Sequence, residues 1–301
     1  MTVRIYRQYR QRHFYMVDIS SVLSSNIPIN QTILPLIFVF QAQNSSVRQF
    51  QYDSELMVEI RSGDHGCVTI HDADLWIYCI SLLIEDLKRA KTKQPAQTQT
   101  VRFTVYDFLH STNQRTGGNR YQHIIGVLHR LENTLISICN EKKENHRSVS
   151  FKLIENWQII KSENESQRMR ALEVTLPEWL VNAVKSKREF AISNDYFILR
   201  KPLERHLYII ACQYCNIQSR YSISLAKLHK TGSIKSSLRE FRRSIKTIAQ
   251  LNRLPDYQIR YYQETDSVSF YNRIGIRGYK THIRDLIHQL NEARKDYIYI
   301  K

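Results

Sequence analysis

The chain lacks any run near the roughly 20 uninterrupted apolar residues that a membrane-spanning helix needs, and its N-terminus lacks an apolar stretch followed by a small-residue cleavage site. Helical membrane insertion and ordinary secretion are therefore not expected, and the cytoplasm is the expected location. Cysteine is sparse. Cys67, Cys79, Cys139, Cys212 and Cys215 make an odd, scattered set in 301 residues, unlike a secreted disulfide framework and consistent with reduced thiols. Acidic residues are also short: 28 Asp and Glu stand against 44 Lys and Arg, a net charge of +16. Such an excess implies a polyanionic partner bound with counterion release, nucleic acid first among them. A hydrophobic content of 42% excludes global disorder and can supply a sizeable core.

The positive charge is not spread evenly. Between Arg200 and Arg260 there are 13 Lys or Arg and 3 acids, so about +10 of the +16 lies in one fifth of the chain. Arg4, Arg7, Arg10 and Arg12 form a second cluster ahead of any acid. The sequence divides into a loosely ordered basic arm (1–32), a first domain (33–187), a second domain (188–273) and a C-terminal amphipathic helix (274–301).

Periodicity supplies the elements. "LPLIFVF" from Leu34 and "LMVEI" from Leu56 read as strands. In "TIHDADLWIYCISLLIEDLKRA", Leu75, Cys79, Leu83 and Leu87 recur every four residues, Asp72 or Asp74 can cap the start, and Lys88 and Arg89 close the last turn. "VRFTVYDFLHSTN" reads as a short strand running into a short helix. In the next helix Tyr121, Ile124, Ile125, Leu128 and Leu131 form one stripe. Alternating strands follow in "VSFKLIENWQII" and "ALEVTL", and then a short helix in "PEWLVNAV".

The second half repeats this order. "PLERHLYIIACQYC" is a helix, "RYSISLAKLH" a strand and short helix, and "SIKSSLREFRRSIKTIAQL" a longer helix with Ile234, Leu238, Phe241, Ile245 and Ile248 on one face. "YQIRYY" and "SVSFYN" are strands around a turn. Arg102–His110 lies over Tyr221–His229 at an offset of 119, and two residues removed from the turn bring Tyr121, Ile124, Leu128 and Leu131 onto Leu238, Phe241, Ile245 and Ile248. The expected fold is α+β, two tandem winged-helix domains with small antiparallel hairpin wings.

In a winged helix the third helix enters the major groove and the hairpin touches the backbone. The second unit offers Lys235, Ser236, Arg239, Arg242, Arg243 and Lys246 on the faces its apolar stripe leaves free. The first offers Arg115, Asn119, Arg120, Gln122 and His123. Arginine matches guanine bidentately, while lysine and serine suit phosphates. Gly117 and Gly118 are expected to reverse the chain with unusual dihedrals, and Asn119 or Thr116 to cap the helix that follows. The less basic first unit is expected to read DNA weakly or serve a protein interface.

Other constellations carry less. Cys212 and Cys215 have the spacing of half a zinc site, but no second pair stands at suitable distance, and two core thiols are the simpler reading. His71, Asp72 and Asp74 resemble a metal cluster, yet capping accounts for the acids. "RTGGN" is anion-friendly but lacks the Lys-Ser/Thr of a phosphate-binding loop. A nickase would need a metal-binding histidine pair with a nucleophilic tyrosine, and the 11 histidines are dispersed. No metal, cofactor or catalytic residue is expected.

"TIHDADLWIYCIS", "VRFTVYDFLHSTNQRTGGNRYQ", "ALEVTLPEWL", "DYFILRKPLERHLY" and "SLREFRRSIKTIAQLNRLPDYQI" resemble, in that order, the plasmid replication initiator protein A family, over about Leu34 to Asn272. The resemblance implies an initiator that binds repeated sites in duplex origin DNA, helps open the adjacent duplex and recruits the host replicative helicase and other replication proteins. It further implies a homodimer in equilibrium with an origin-binding monomer, with the first domain at the dimer interface and most sequence readout in the C-terminal domain. A transcription repressor that never opens DNA is the nearest alternative, and a metal-dependent nickase a more distant one.

Overall fold

A computed structural model describes residues 14–17, 47–51, 56–90, 99–117, 119–140, 148–161, 169–186, 189–215, 219–231, 234 and 236–273. The strand expected from Leu34, the C-terminal helix, Gly118 and Lys235 lie outside these residues.

Helix α1 (Ala73–Ala90) sits at the centre. Sequence periodicity suggests one buried stripe, but Ala73 to Ile84 are buried on every face. A helix surrounded in this way needs few polar positions, and its Trp76 spends its indole N–H on the Leu153 carbonyl at 3.0 Å. Strand β1 (Phe14–Val17) packs on α1 and pairs antiparallel with β9 (Glu189–Ile192). The expectation of a loose arm over residues 1–32 therefore fails for this stretch: Phe14 and Met16 are fully buried, and Phe14 meets Phe197 edge-on at 4.5 Å.

The first unit continues with β4 (Thr100–Phe103), α2 (Val105–Ser111), α3 (Arg120–Glu132), β7 (Asn156–Lys161), β8 (Met169–Thr175) and α4 (Glu178–Lys185). The second runs through a 3-10 turn (Asn194–Ile198), α5 (Pro202–Cys215), β10 (Arg220–Ser224), α6 (Leu225–Thr231), α7 (Leu238–Leu251), β11 (Tyr257–Tyr262) and β12 (Ser267–Asn272). Their three-stranded sheets have the same order, β4-β8-β7 and β10-β12-β11, all antiparallel. In each, the strand ahead of the short helix pairs with the last strand of the hairpin.

Two details depart from the sequence reading. The Thr104 and Ser224 hydroxyls occupy matching positions at the starts of α2 and α6, accepting from the Asp107 and Lys227 amides, which sets the offset at 120 rather than 119. Val101, Phe103, Val105 and Phe108 then match Tyr221, Ile223, Leu225 and Leu228. Second, "VSFKLIENWQII" is not one strand. It breaks into β6 (Ser148–Lys152) and β7, which belong to different sheets. Strands β5 (Leu135–Asn140) and β6 are an insertion that joins β2 (Val47–Gln51) and β3 (Leu56–Arg61) in a four-stranded antiparallel sheet.

A single hydrophobic cluster runs from Phe14 and α1 through α3 to Phe241 and Phe270. The two units share one core.

Candidate nucleic-acid interface

Helix α7 begins with a capping box. The Ser237 hydroxyl accepts from the Glu240 amide at 3.3 Å while Glu240 Oε2 accepts from the Ser237 amide at 3.0 Å, so a carboxylate occupies the positive end of the helix. The helix ends at Asn252 in the left-handed conformation, φ 49°, and the Asn252 amide side chain accepts from the Ile259 N–H. Phe241, Ile245 and Ile248 are buried against α6 and β11. Burial of each large apolar side chain stabilises by about 1.5–3 kcal/mol, which fixes the rotational setting of the helix.

That setting sorts the expected contact residues. Arg239 and Arg243 are exposed. Arg242 is half-buried and donates through Nε and Nη2 to both carboxylate oxygens of Asp266, at 3.0 and 2.8 Å. The Tyr261 hydroxyl donates to the same carboxylate at 2.7 Å, and the Lys246 ammonium lies 5.2 Å from the Tyr261 ring centre. Arg242 and Lys246 thus brace α7 against the β11–β12 hairpin, a role sequence reasoning missed. Hydrogen bonds from Arg242 and Tyr261 hold the Asp266 carboxyl at about 2, well below its ordinary value. Ser236 is half-buried, its carbonyl 2.7 Å from a His229 ring nitrogen. On the hairpin sheet Arg220 and Arg260 lie 5.3 and 5.1 Å from the Tyr271 ring centre, a further basic surface that charge counting had located only coarsely.

In the first unit Arg115, Asn119, Gln122 and His123 are exposed and Arg120 is partly so. Of the two glycines expected to turn the chain, only Gly117 lies among the described residues, and it lacks the unusual dihedral. Its φ is not positive, and a Cβ there would meet nothing within 4 Å. Asn113, just after α2, has the left-handed backbone instead, φ 54°. Asn119 stands at the N-cap position of α3 without a side-chain cap bond.

Asp72 and Asp74 do more than cap. Asp72 accepts from Arg130 Nε and Nη2 at 2.9 and 2.7 Å and from the Thr69 amide at 2.8 Å, tying α3 to the start of α1. Asp74 pairs with Arg205 of α5, a buried ion pair joining the two units. Burial pushes the Asp74 carboxyl up to about 6, and the neighbouring guanidinium opposes that rise. The acids are legible as a helix start, but their partners lie 58 and 131 residues away. The Cys212 thiol donates to the Ala191 carbonyl at 3.0 Å and the Cys215 thiol to the Phe270 carbonyl at 3.5 Å; burial raises them to about 12 and about 11. Among the described residues no group of three or more His, Cys, Asp or Glu is placed to hold a metal ion, and no helix is long and apolar enough to cross a membrane.

The fold is similar to that of RctB domains 2 and 3 in two crystal structures. TM-scores are 0.53 and 0.52 at 13% identity, over 80% of this chain and 96% of each of those chains. A putative replication protein of Wigglesworthia glossinidia brevipalpis is 34% identical over 264 residues, 87% of this chain and 94% of that protein. The family model for replication initiator protein A matches residues 30–259. With that match and that relative, the chain belongs to the replication initiator protein A family.

Proposed function

We propose that this protein is a plasmid replication initiator that binds repeated sites in duplex origin DNA through two winged helices, without catalysing a reaction. The carrying observation is α7: its apolar stripe is buried while Arg239 and Arg243 stand exposed, in a unit whose strand order is repeated earlier in the chain. Arginine at this place suits bidentate guanine contacts, and the basic hairpin sheet suits the flanking phosphates. The family supports a role in replication initiation, and the charge of +16 supports a nucleic-acid partner. Binding free energy gathered over adjacent sites strains a neighbouring AT-rich duplex, and host helicase recruitment follows. The first unit contributes the weaker DNA contact and the surface for homodimerisation, the dimer being in equilibrium with the binding monomer.

Arg239→Ala with Arg243→Ala tests this by gel shift on origin DNA at fixed salt. The expected loss is about 1–3 kcal/mol per base contact, with thermal unfolding little changed because neither side chain is packed. Unchanged affinity rejects α7 as the reading helix. Permanganate-reactive thymines near the bound sites separate an initiator from a repressor that leaves the duplex closed.

A further inference from the structure

A cleft of about 770 Å³ opens where the two units meet, between the start of α1, the first half of α3 and the segment leading into α5. Its floor holds Asp72 and Asp74, whose charges are matched by Arg130 and Arg205; Gln114 also donates to Asp74 at 3.3 Å. The floor is therefore close to neutral. Arg115, Arg120 and Arg200 line the same cleft and make no ion pair or hydrogen bond with another described residue. His71 and His123 also line it, and although both are exposed at the surface, partial desolvation lowers their pKa and so favours uncharged rings. The net result is three guanidinium-bearing residues lining one cleft whose acids are already matched, in a concavity of the size small ligands occupy.

Guanidinium forks match phosphate oxygens in pairs, which a simple halide or a carboxylic monoanion would leave mostly unused. We propose that this cleft binds a phosphate chain, carried either by a nucleotide or by consecutive phosphodiesters of a DNA strand, through Arg115, Arg120 and Arg200. The cleft includes no α7 residue. Because Arg115 and Arg120 are also the DNA contacts expected of the first unit, the strand form of the proposal rests on the duplex-binding reading, whereas the nucleotide form does not. The "RTGGN" segment contributes Arg115 but has no Lys-Ser/Thr, so the bound phosphate is held and not transferred.

Calorimetric titration of the full chain with ATP and with sodium tripolyphosphate tests the proposal. The expected result is saturable binding of both, weakened about tenfold or more by Arg200→Glu or Arg115→Glu. Arg200→Lys, which keeps the charge but loses the fork, weakens binding less than Arg200→Glu does, and Arg239→Ala with Arg243→Ala leaves it unchanged while reducing duplex binding. A short single-stranded oligonucleotide that displaces ATP identifies the strand as the source of the phosphates; failure to displace it identifies the free nucleotide. Absence of saturable binding up to millimolar probe overturns the proposal. So does binding that Arg200→Glu and Arg115→Glu leave intact, or that falls equally in the α7 variant.

Discussion

Among the arginines of α7, identical side chains have different work because their neighbours differ. Arg242 meets a carboxylate held by Tyr261, whereas Arg239 and Arg243 meet solvent. Arg242→Ala is expected to lower the unfolding temperature and loosen the hairpin, with DNA affinity falling as a consequence. Thermal melts beside gel shifts distinguish it from the Arg239 and Arg243 variants, which lose affinity alone. Glycines divide in the same way. Gly66 has φ +81°, a backbone region that costs an L-residue about 1–2 kcal/mol, so Gly66→Ala destabilises by about that much. Gly117→Ala, at a site with open space and no positive φ, changes stability by less than about 0.5 kcal/mol, as denaturant melts will read.

The pairing of α7 with its hairpin has a pH signature. Asp266 in the folded protein titrates at about 2, below the ordinary aspartate range. A depressed carboxyl contributes stability that is present above its unfolded pKa, about 3.9, and lost as pH falls through the folded value. Asp266→Asn removes that contribution. The melting temperatures of the two proteins should differ by a constant amount above about pH 5 and converge as pH falls toward about 2. A gap that persists unchanged at acid pH would mean the carboxylate is not what braces the hairpin. The contribution is modest, because the pair is more than a third exposed and solvent screens it.

At the level of the entire molecule, one core serves both units, closed by β1 on β9 and by the buried Asp74–Arg205 pair. Calorimetry is expected to show one cooperative transition. Phe14→Ala, which empties a fully buried aromatic site, lowers stability by about 3–5 kcal/mol and shifts that single transition as a unit. Two separated transitions would show independent domains.

Local pattern was sufficient for much of this. Most of the α3 and α7 stripes, a strand running into a short helix in each unit, the β11–β12 hairpin and the basic second half follow from residue spacing and charge, because periodicity acts within a few residues. Tyr121 of the expected α3 stripe is nevertheless exposed, and Val127 is buried instead. Long-range contacts set the rest. Burial of α1 on all sides, the recruitment of Phe14–Val17 from a stretch that looks like a free arm, the split of β6 from β7 between two sheets, and the placing of Asp72 and Asp74 against Arg130 and Arg205 depend on partners tens of residues distant. Nothing in the spacing of "LREFRRSIK" distinguishes an arginine that faces solvent from one that meets Asp266. That distinction arises when burial of Phe241 and Ile245 sets the angle of the helix, and the angle decides which guanidinium finds a carboxylate.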